Sequence, residues 1–336
     1  MVIIEDVAVA TGVSTATVSR ALRGLTGVSP ATRAKVLTVA RELGYVPSSS
    51  ASGLASGRTM AMGVLLPSIE RWYFSAMLDG IDRQLRTAGY DLIVFSLGGF
   101  GGNRERVFHR SILRKRIDAL IVMCMELTED EYRSLRDLDS PTIVVGGSVQ
   151  GVPHVSIDDH AAVRDAVEHL IALGHTRIGH VRGGDSFGMY FDVPRIRNDA
   201  FTETMAAHGL PIRDEWSVFG DFRFKEAKIA VTSMLADASE RPTALFCSSD
   251  EMAFGALTAA AELGIKVPEE LSVVGIDDHE FADPMGLTTV RQMPEEQGAY
   301  AAELMLAELE GKKLKSGPVT QPHELIERAS TGPPLH

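Results

Sequence analysis

"GVSTATVSRALRG", residues 12–24, decides how this chain is read. It carries two arginines, four hydroxyl side chains and no acid, inside a 336-residue chain of formal net charge −12. Stepping 100° per residue along 15–23 puts Thr15, Ala16, Ser19, Arg20 and Arg23 on one arc and Val18, Ala21 and Leu22 on the opposite one. One face is apolar and the other offers hydrogen bonds. Ser14 is placed to cap this helix, a first helix is expected over about 4–10, and a third over about 30–43, where Ser29 caps and Pro30 suits the first helical position. Val7, Val13, Val36 and Leu43 complete a small core, so the segment reads as a helix-turn-helix with a third supporting helix.

The charge is split along the chain. Residues 1–58 hold six bases and three acids, hence +3, and the remainder holds 27 bases and 42 acids, hence −15. A basic head on an acidic body points to a polyanion at one end, because phosphate neutralisation supplies most non-specific affinity for nucleic acid. The length and a 45% hydrophobic content allow two or three packed domains. No window reaches the roughly 18 uninterrupted apolar residues of a membrane span, and the opening "MVIIEDVAVATGVS" has early acids and no basic n-region, so a soluble cytoplasmic protein is expected. The two cysteines, Cys124 in "IVMCM" and Cys247 in "ALFCSSD", lie in apolar strand-like runs and read as buried reduced thiols.

Residues 46–59, "VPSSSASGLASGRT", are rich in Ser, Ala and Gly, with Leu54 as the one large apolar side chain between Pro47 and Met60, and read as a linker. Beyond it, apolar runs such as "MAMGVLLP" (60–67), "DALIVMC" (118–124), "TALFCSS" (243–249) and "LSVVGID" (271–277) alternate with amphipathic helical stretches. That rhythm predicts an α/β body of βαβ units whose parallel sheets are covered on both faces. Ligands of such folds collect beyond the carboxyl ends of the strands, here marked by Pro67, Ser249, Asp250, Asp277 and Asp278. The echo between "VSIDDH" (155–160) and "VGIDDH" (274–279) has two readings: a divalent metal site, or acids capping helix starts, and the second is preferred. "GGFGG" (98–102) lacks dinucleotide spacing, and no zinc-protease, P-loop or nucleophile-elbow motif occurs. An enzyme, a cofactor and a metal are not expected.

The stretch "EDVAVATGVSTATVSRALRG…VSPATRAKVLTVARELGYVPSSSASGLASGRT" closely resembles the head of LacI/GalR-family transcriptional regulators. The resemblance continues through "GVLLPSIERWYFSAMLDGIDRQLRTAGYDLIVFS", "HLIALGHTRIGHVRGG", "RPTALFCSSDEMAFGALTAAAELGIKVPEELSVVGIDDHEFAD", "LTTVRQ" and "LIERAST". It implies a homodimeric repressor whose heads bind a near-palindromic operator in double-stranded DNA and whose body resembles periplasmic sugar-binding proteins. The expected layout is a DNA-binding head at 1–45, a hinge at 46–59 and an effector-binding and dimerisation body at 60–336. The chain would cross between lobes near 159, 290 and 321, giving one lobe of about 60–159 and 291–321 and another of about 160–290 and 322–336. After "ERAST" the sequence ends in "GPPLH" without leucine heptads, so a dimer is expected rather than a tetramer.

On this resemblance Arg20 is the candidate for a bidentate contact to guanine, with Thr15 and Ala16 reading bases and Ser14, Thr17 and Ser19 holding phosphates. Leu54 matches the leucine that wedges into the minor groove at a central CpG step. Gly53 before it departs from the usual larger residue and weakens a hinge helix by about 1 kcal/mol, and Glu5 stands where a lysine is common. The effector positions fall on Arg71, Trp72, Tyr73, Phe74, Arg197, Phe222, Ser249, Asp250 and Asp277, with Asp277 facing Arg197 either at the ligand or as a plain structural ion pair. Aromatic faces, a fork-like arginine and carboxylates suit a mono- or oligosaccharide. "IERWYF", Ser249 and Ala200 depart from the family pattern, which brings Arg71 and Trp72 within reach of the ligand. Release of the operator by the effector is the first reading. A corepressor response, or a non-sugar ligand such as a nucleoside or purine, is the alternative.

Overall fold

The second and third head helices each begin at a serine that accepts from an orphan backbone N–H, whereas the first starts after Ile3, whose own N–H donates to Asp6 Oδ2 at 2.9 Å. α1 spans Ile4–Thr11, α2 Thr15–Leu22 and α3 Pro30–Glu42. Ser14 accepts from the Thr17 N–H at 3.2 Å and Ser29 from the Thr32 N–H at 3.1 Å, with Pro30 at the first turn of α3. Val7, Ala8, Val18, Ala21, Val36 and Ala40 form the head core, with Val13 and Leu22 packed against it. Leu43, expected in that core, is instead exposed at the end of α3. Two of the head's bases are structural: Arg33 donates to the carbonyls of Ala21 (3.1 Å) and Leu25 (2.5 Å), and Lys35 to that of Thr11 (2.9 Å). They satisfy orphan carbonyls at or near the ends of α1 and α2.

The computed structural model describes residues 2–45, 58–98, 104–109, 116–125, 127–138, 140–147, 149, 151–184, 192–237, 241–314 and 317–335. It divides into a head unit, Met1–Met60, and a body, Ala61–His336. The body continues as β1 (Ala61–Leu66), α4 (Trp72–Ala88), β2 (Asp91–Ser96), α5 (Arg104–His109), β3 (Ala119–Met123), α6 (Glu129–Arg136), β4 (Thr142–Val145) and β5 (His154–Ser156). There follow α7 (Asp159–Ala172), β6 (Ile178–Arg182), α8 (Val193–Ala207), β7 (Ser217–Phe219), α9 (Phe224–Leu235), β8 (Ala244–Cys247), α10 (Asp250–Glu262) and β9 (Ser272–Asp277). The last elements are β10 (Thr288–Arg291), α11 (Pro294–Leu309), β11 (Pro318–Thr320) and β12 (Glu324–Ile326).

These strands build two six-stranded sheets, β11-β5-β4-β3-β1-β2 and β12-β10-β9-β8-β6-β7. Every pairing is parallel except β10 with β12. Central strands β1, β3, β8 and β9 are buried throughout, as expected where helices cover both faces. The chain passes from the first sheet to the second after β5, returns after β10 and passes over again between β11 and β12. Helices α4 and α11 cross so closely over the first sheet that a Cβ on Gly80 would lie 1.9 Å from the Glu295 carbonyl oxygen. Among the described residues no helix is long and apolar enough to cross a membrane.

Candidate ligand cleft and candidate nucleic-acid interface

The carboxyl ends of the parallel strands of both sheets meet around a cleft containing about 980 Å³ of empty space, its open mouth included. The loop after β1 and the start of α4 contribute Pro67, Ser68, Arg71, Tyr73 and Phe74; the ends of β3 and β4 contribute Cys124 and Gly146; and the β5–α7 crossing contributes Ser156, Ile157 and Asp159. From the second sheet come Val193 and Arg197, Asp221 and Phe222, Ser249 and Glu251, and Asp277, while Gln292 and Gln297 flank the return crossing.

Arg197 is the centre of the polar floor. It is buried, and its Nε donates to Asp159 Oδ1 at 2.7 Å while Nη1 donates to the Ser248 carbonyl at 2.5 Å. Burial alone would lower its pKa, but the neighbouring Asp159 and Asp277 carboxylates outweigh that and leave it raised. Asp277 accepts from Gln292 Nε2 at 2.5 Å and from the Asp250 N–H at 3.3 Å. Burial pushes its carboxyl up to about 7, against the pull of Arg197 and Gln292. Burial likewise pushes the Cys124 thiol up to about 12, opposed by a hydrogen bond with Tyr73, and raises Tyr73 well above the ordinary phenol range. Both therefore stay protonated at neutral pH. Gln297 Nε2 donates to the Gln292 carbonyl at 2.5 Å, so the return crossing is tied to the carboxylate floor through Gln292.

Arg71 spans the mouth between the lobes. It donates to the carbonyls of Phe222 and Asp221, the latter at 3.0 Å, and lies 3.7 Å from the Glu251 carboxylate. The Trp72 N–H donates to Glu251 Oε1 at 3.3 Å. Cys124, Asp221, Phe222, Asp277 and Asp278 all have positive φ, a strained backbone for non-glycine residues that clusters at functional sites. The Phe222 ring lies over Gly183, where a Cβ would come within 2.1 Å of the ring.

Of the residues expected from the sequence, Arg71, Tyr73, Phe74, Arg197, Phe222, Ser249 and Asp277 come together around the cleft. Trp72 and Asp250 do not line it. The Trp72 ring packs against His279 with centroids 4.4 Å apart, drawn there because its N–H and ring both face the second lobe. Asp250 is fully buried beneath Gly275, where its carboxylate accepts from Thr289 Oγ1 at 2.6 Å and the His279 N–H at 2.9 Å. The close partner of Arg197 is Asp159, which the sequence reading passed over; its signal was the repeated "IDDH". In that repeat Asp158 caps α7 by accepting from the Ala161 N–H at 3.0 Å, and Asp278 pairs with Arg291 and Arg328, each at 2.7 Å. Among the described residues no group of three or more potential ligands is placed to hold a metal. Glu251, Asp221, Gln292 and Gln297 were also missed, since each reaches the cleft through contacts distant in sequence.

In the head, Thr15, Ala16 and Arg20 are exposed on α2 and Arg23 at its C-cap, while Val18 and Ala21 are buried beneath it. The Ser14 and Thr17 hydroxyls lie 2.9 Å apart at its exposed N-terminus, and Ser19 is half-buried. Such a helix can present its N-terminal residues to a major groove. Leu54 and Gly53 lie outside the described residues.

A helix-turn-helix head and a body with a polar-floored, aromatic-lined cleft between two largely parallel sheets define a DNA-binding regulator with an effector-binding domain. Residues 3–48 match the model for bacterial regulatory proteins of the lacI family, and residues 167–331 match that for a periplasmic binding protein-like domain. Catabolite control protein A of Priestia megaterium is 32% identical over 336 residues, covering 98% of this chain and 99% of that one. The solved lac repressor dimer bound to operator and the anti-inducer ONPF aligns at a TM-score of 0.86 with 27% identity, covering 98% of this chain and 99% of that one. A transcriptional regulator CelR-cellobiose complex aligns at 0.71 with 26% identity, covering 98% of this chain and 100% of that one. The chain belongs to the lacI family of bacterial regulatory proteins and is a DNA-binding transcriptional repressor rather than an enzyme.

Proposed function

We propose that the chain acts as a homodimer whose two heads bind the halves of a near-palindromic operator, and that a small sugar-type compound in the cleft releases it. The head is taken as 1–45, the hinge as 46–59 and the effector body as 60–336. One observation carries the effector reading: Arg197, Asp159 and Asp277 form a buried donor and acceptor floor facing Tyr73, Phe74 and Phe222. Carboxylates accept hydroxyl protons, the guanidinium donates to ring or hydroxyl oxygens, and flat aromatic faces cover the less polar faces of a sugar ring. The CelR-cellobiose complex, of similar fold, supports the sugar class.

Three aromatic rings lining the cleft, Tyr73 and Phe74 from one lobe and Phe222 from the other, favour a second reading, a ligand with a planar heteroaromatic ring such as a nucleoside or purine, because offset stacking rewards flat partners. In the head, Arg20 contacts guanine bidentately, a pairing worth about 1–3 kcal/mol of discrimination. Thr15 and Ala16 read neighbouring base edges, and Ser14, Thr17 and Ser19 hold phosphates. The lac repressor complex, a dimer on operator, supports the two-headed mode.

The test is selection of binding sites from random duplexes by the full chain, repeated with mono- and disaccharides and with nucleosides. Enrichment of a palindrome that one compound weakens is the expected result. No enriched site would remove the operator reading, and a site insensitive to every compound would remove the inducer reading.

A further inference from the structure

The cleft's own groups already occupy its anion-binding positions. Among the described residues that line it, the cations are Arg71 and Arg197 and the carboxylates are Asp159, Asp221, Glu251 and Asp277. Arg197 is engaged with Asp159 and the Ser248 carbonyl. Arg71 is engaged with two carbonyls of the opposite lobe and with Glu251. The start of α4, where a helix N-terminus would favour an anion, already gives its Trp72 N–H to Glu251. The first turns of α7 and α10 likewise carry Asp159, and Asp250 with Glu251.

We infer that the cleft is closed to anionic compounds, so that its effector is uncharged, and that Glu251 is the specificity-determining residue that excludes a phosphate or carboxylate at the mouth. The inference deepens the effector reading above and rests on it. An incoming phosphate would have to displace Glu251 from Arg71 and the α4 N-terminus while facing Asp159, Asp221 and the displaced Glu251, and the cations within reach, Arg71, Arg197 and Arg223 beside Asp221, are each already paired with a carboxylate. Low-dielectric walls strengthen that repulsion relative to water. A hydroxylated neutral ligand meets no such cost, because carboxylates accept its protons. Glu251 also ties the lobes together, since both of its partners belong to the segment after β1. An anion that displaced it would loosen the mouth it was entering.

The experiment titrates inorganic phosphate, ribose 5-phosphate and ribose against the full chain at constant ionic strength, following tryptophan fluorescence and the thermal midpoint. Wild type should show no saturable response to phosphate or ribose 5-phosphate. Glu251→Gln, nearly isosteric and at a partly exposed site, should bind ribose 5-phosphate saturably, with a Kd at least about tenfold below the highest concentration at which wild type shows no response. The gain should vanish in Arg71→Ala/Glu251→Gln, which separates the mouth from any other surface. Saturable ribose 5-phosphate binding by wild type would overturn the inference, as would a Glu251→Gln chain, folded by circular dichroism, that gains nothing. Operator release by neutral compounds is scored separately: if none releases operator the effector reading falls, while the phosphate titrations still decide whether the cleft excludes anions.

Discussion

Arg197→Ala removes the cation from a floor that contains Asp159, Asp277 and, just beneath, Asp250. The Arg197 and Asp159 side chains are only 5% and 10% exposed, so the variant leaves a desolvated carboxylate and the Ser248 carbonyl without their donor. Breaking a buried pair in this way costs about 3–5 kcal/mol. The loss carries a definite pH sign. Asp277 already has its folded pKa raised from 3.8 to about 7, so its contribution to stability is fully present below the unfolded value and is lost as pH rises through about 7. Without the guanidinium, whose pull opposes the burial of Asp277, that carboxyl becomes harder to ionise, the folded form binds more protons than the unfolded chain over a wider range, and stability falls further with rising pH. Urea unfolding near about pH 8 should therefore show the full loss and near about pH 5 a smaller one. The two tryptophans, Trp72 and Trp216, both lie in the body, so fluorescence follows that unit without the head. A loss below about 1 kcal/mol at the higher pH, or one that grows on acidification, would refute the ion-pair account.

Arg20→Ala should leave folding intact and reduce discrimination between operator and scrambled duplex by about 1–3 kcal/mol in anisotropy titrations, with equal specificity removing Arg20 from the reading set. Ser14→Ala, by deleting the acceptor for the Thr17 N–H, should lower stability by about 0.5–2 kcal/mol and speed amide exchange at Thr17; unchanged exchange would mean that the cap is idle. Gly183→Ala should push the Phe222 ring out of the cleft wall, so that operator binding persists while release by effector is lost; a normal response would show that the ring position is irrelevant.

The head was legible because its determinants are local. Ser14, Ser29 and Pro30 mark helix starts within the next turn, and the split between Val18 and Ala21 on one side and Thr15, Ala16 and Arg20 on the other follows from helical periodicity alone. Leu43 fails that reading because α3 ends just before it, leaving its side chain beyond the packed face. The alternation of apolar runs was enough to predict parallel sheets, yet it does not say which carboxylate meets Arg197. Asp159 does so from 38 residues away, and Glu251 meets Trp72 from 179 residues away, pairings set by the convergence of strand ends. Asp250 looked like a ligand residue from its place after a strand, but Gly275 leaves room that draws its carboxylate inward to Thr289. Trp72 was expected to enlarge the ligand wall and instead packs on His279, a contact between lobes that no local pattern reveals.

The central claim, that occupancy of the cleft and operator binding by the head are energetically coupled, is tested most directly by measuring that coupling from both sides. Operator affinity is titrated by anisotropy with and without the compound that the selection identifies, and the compound's affinity is measured calorimetrically with and without operator. Linkage requires the two factors to be equal, and an effect of about 5–150-fold is typical of such coupling. The account predicts equal factors in wild type and a factor of one in Gly183→Ala. A compound that binds the cleft with the same affinity whether or not operator is present would contradict it.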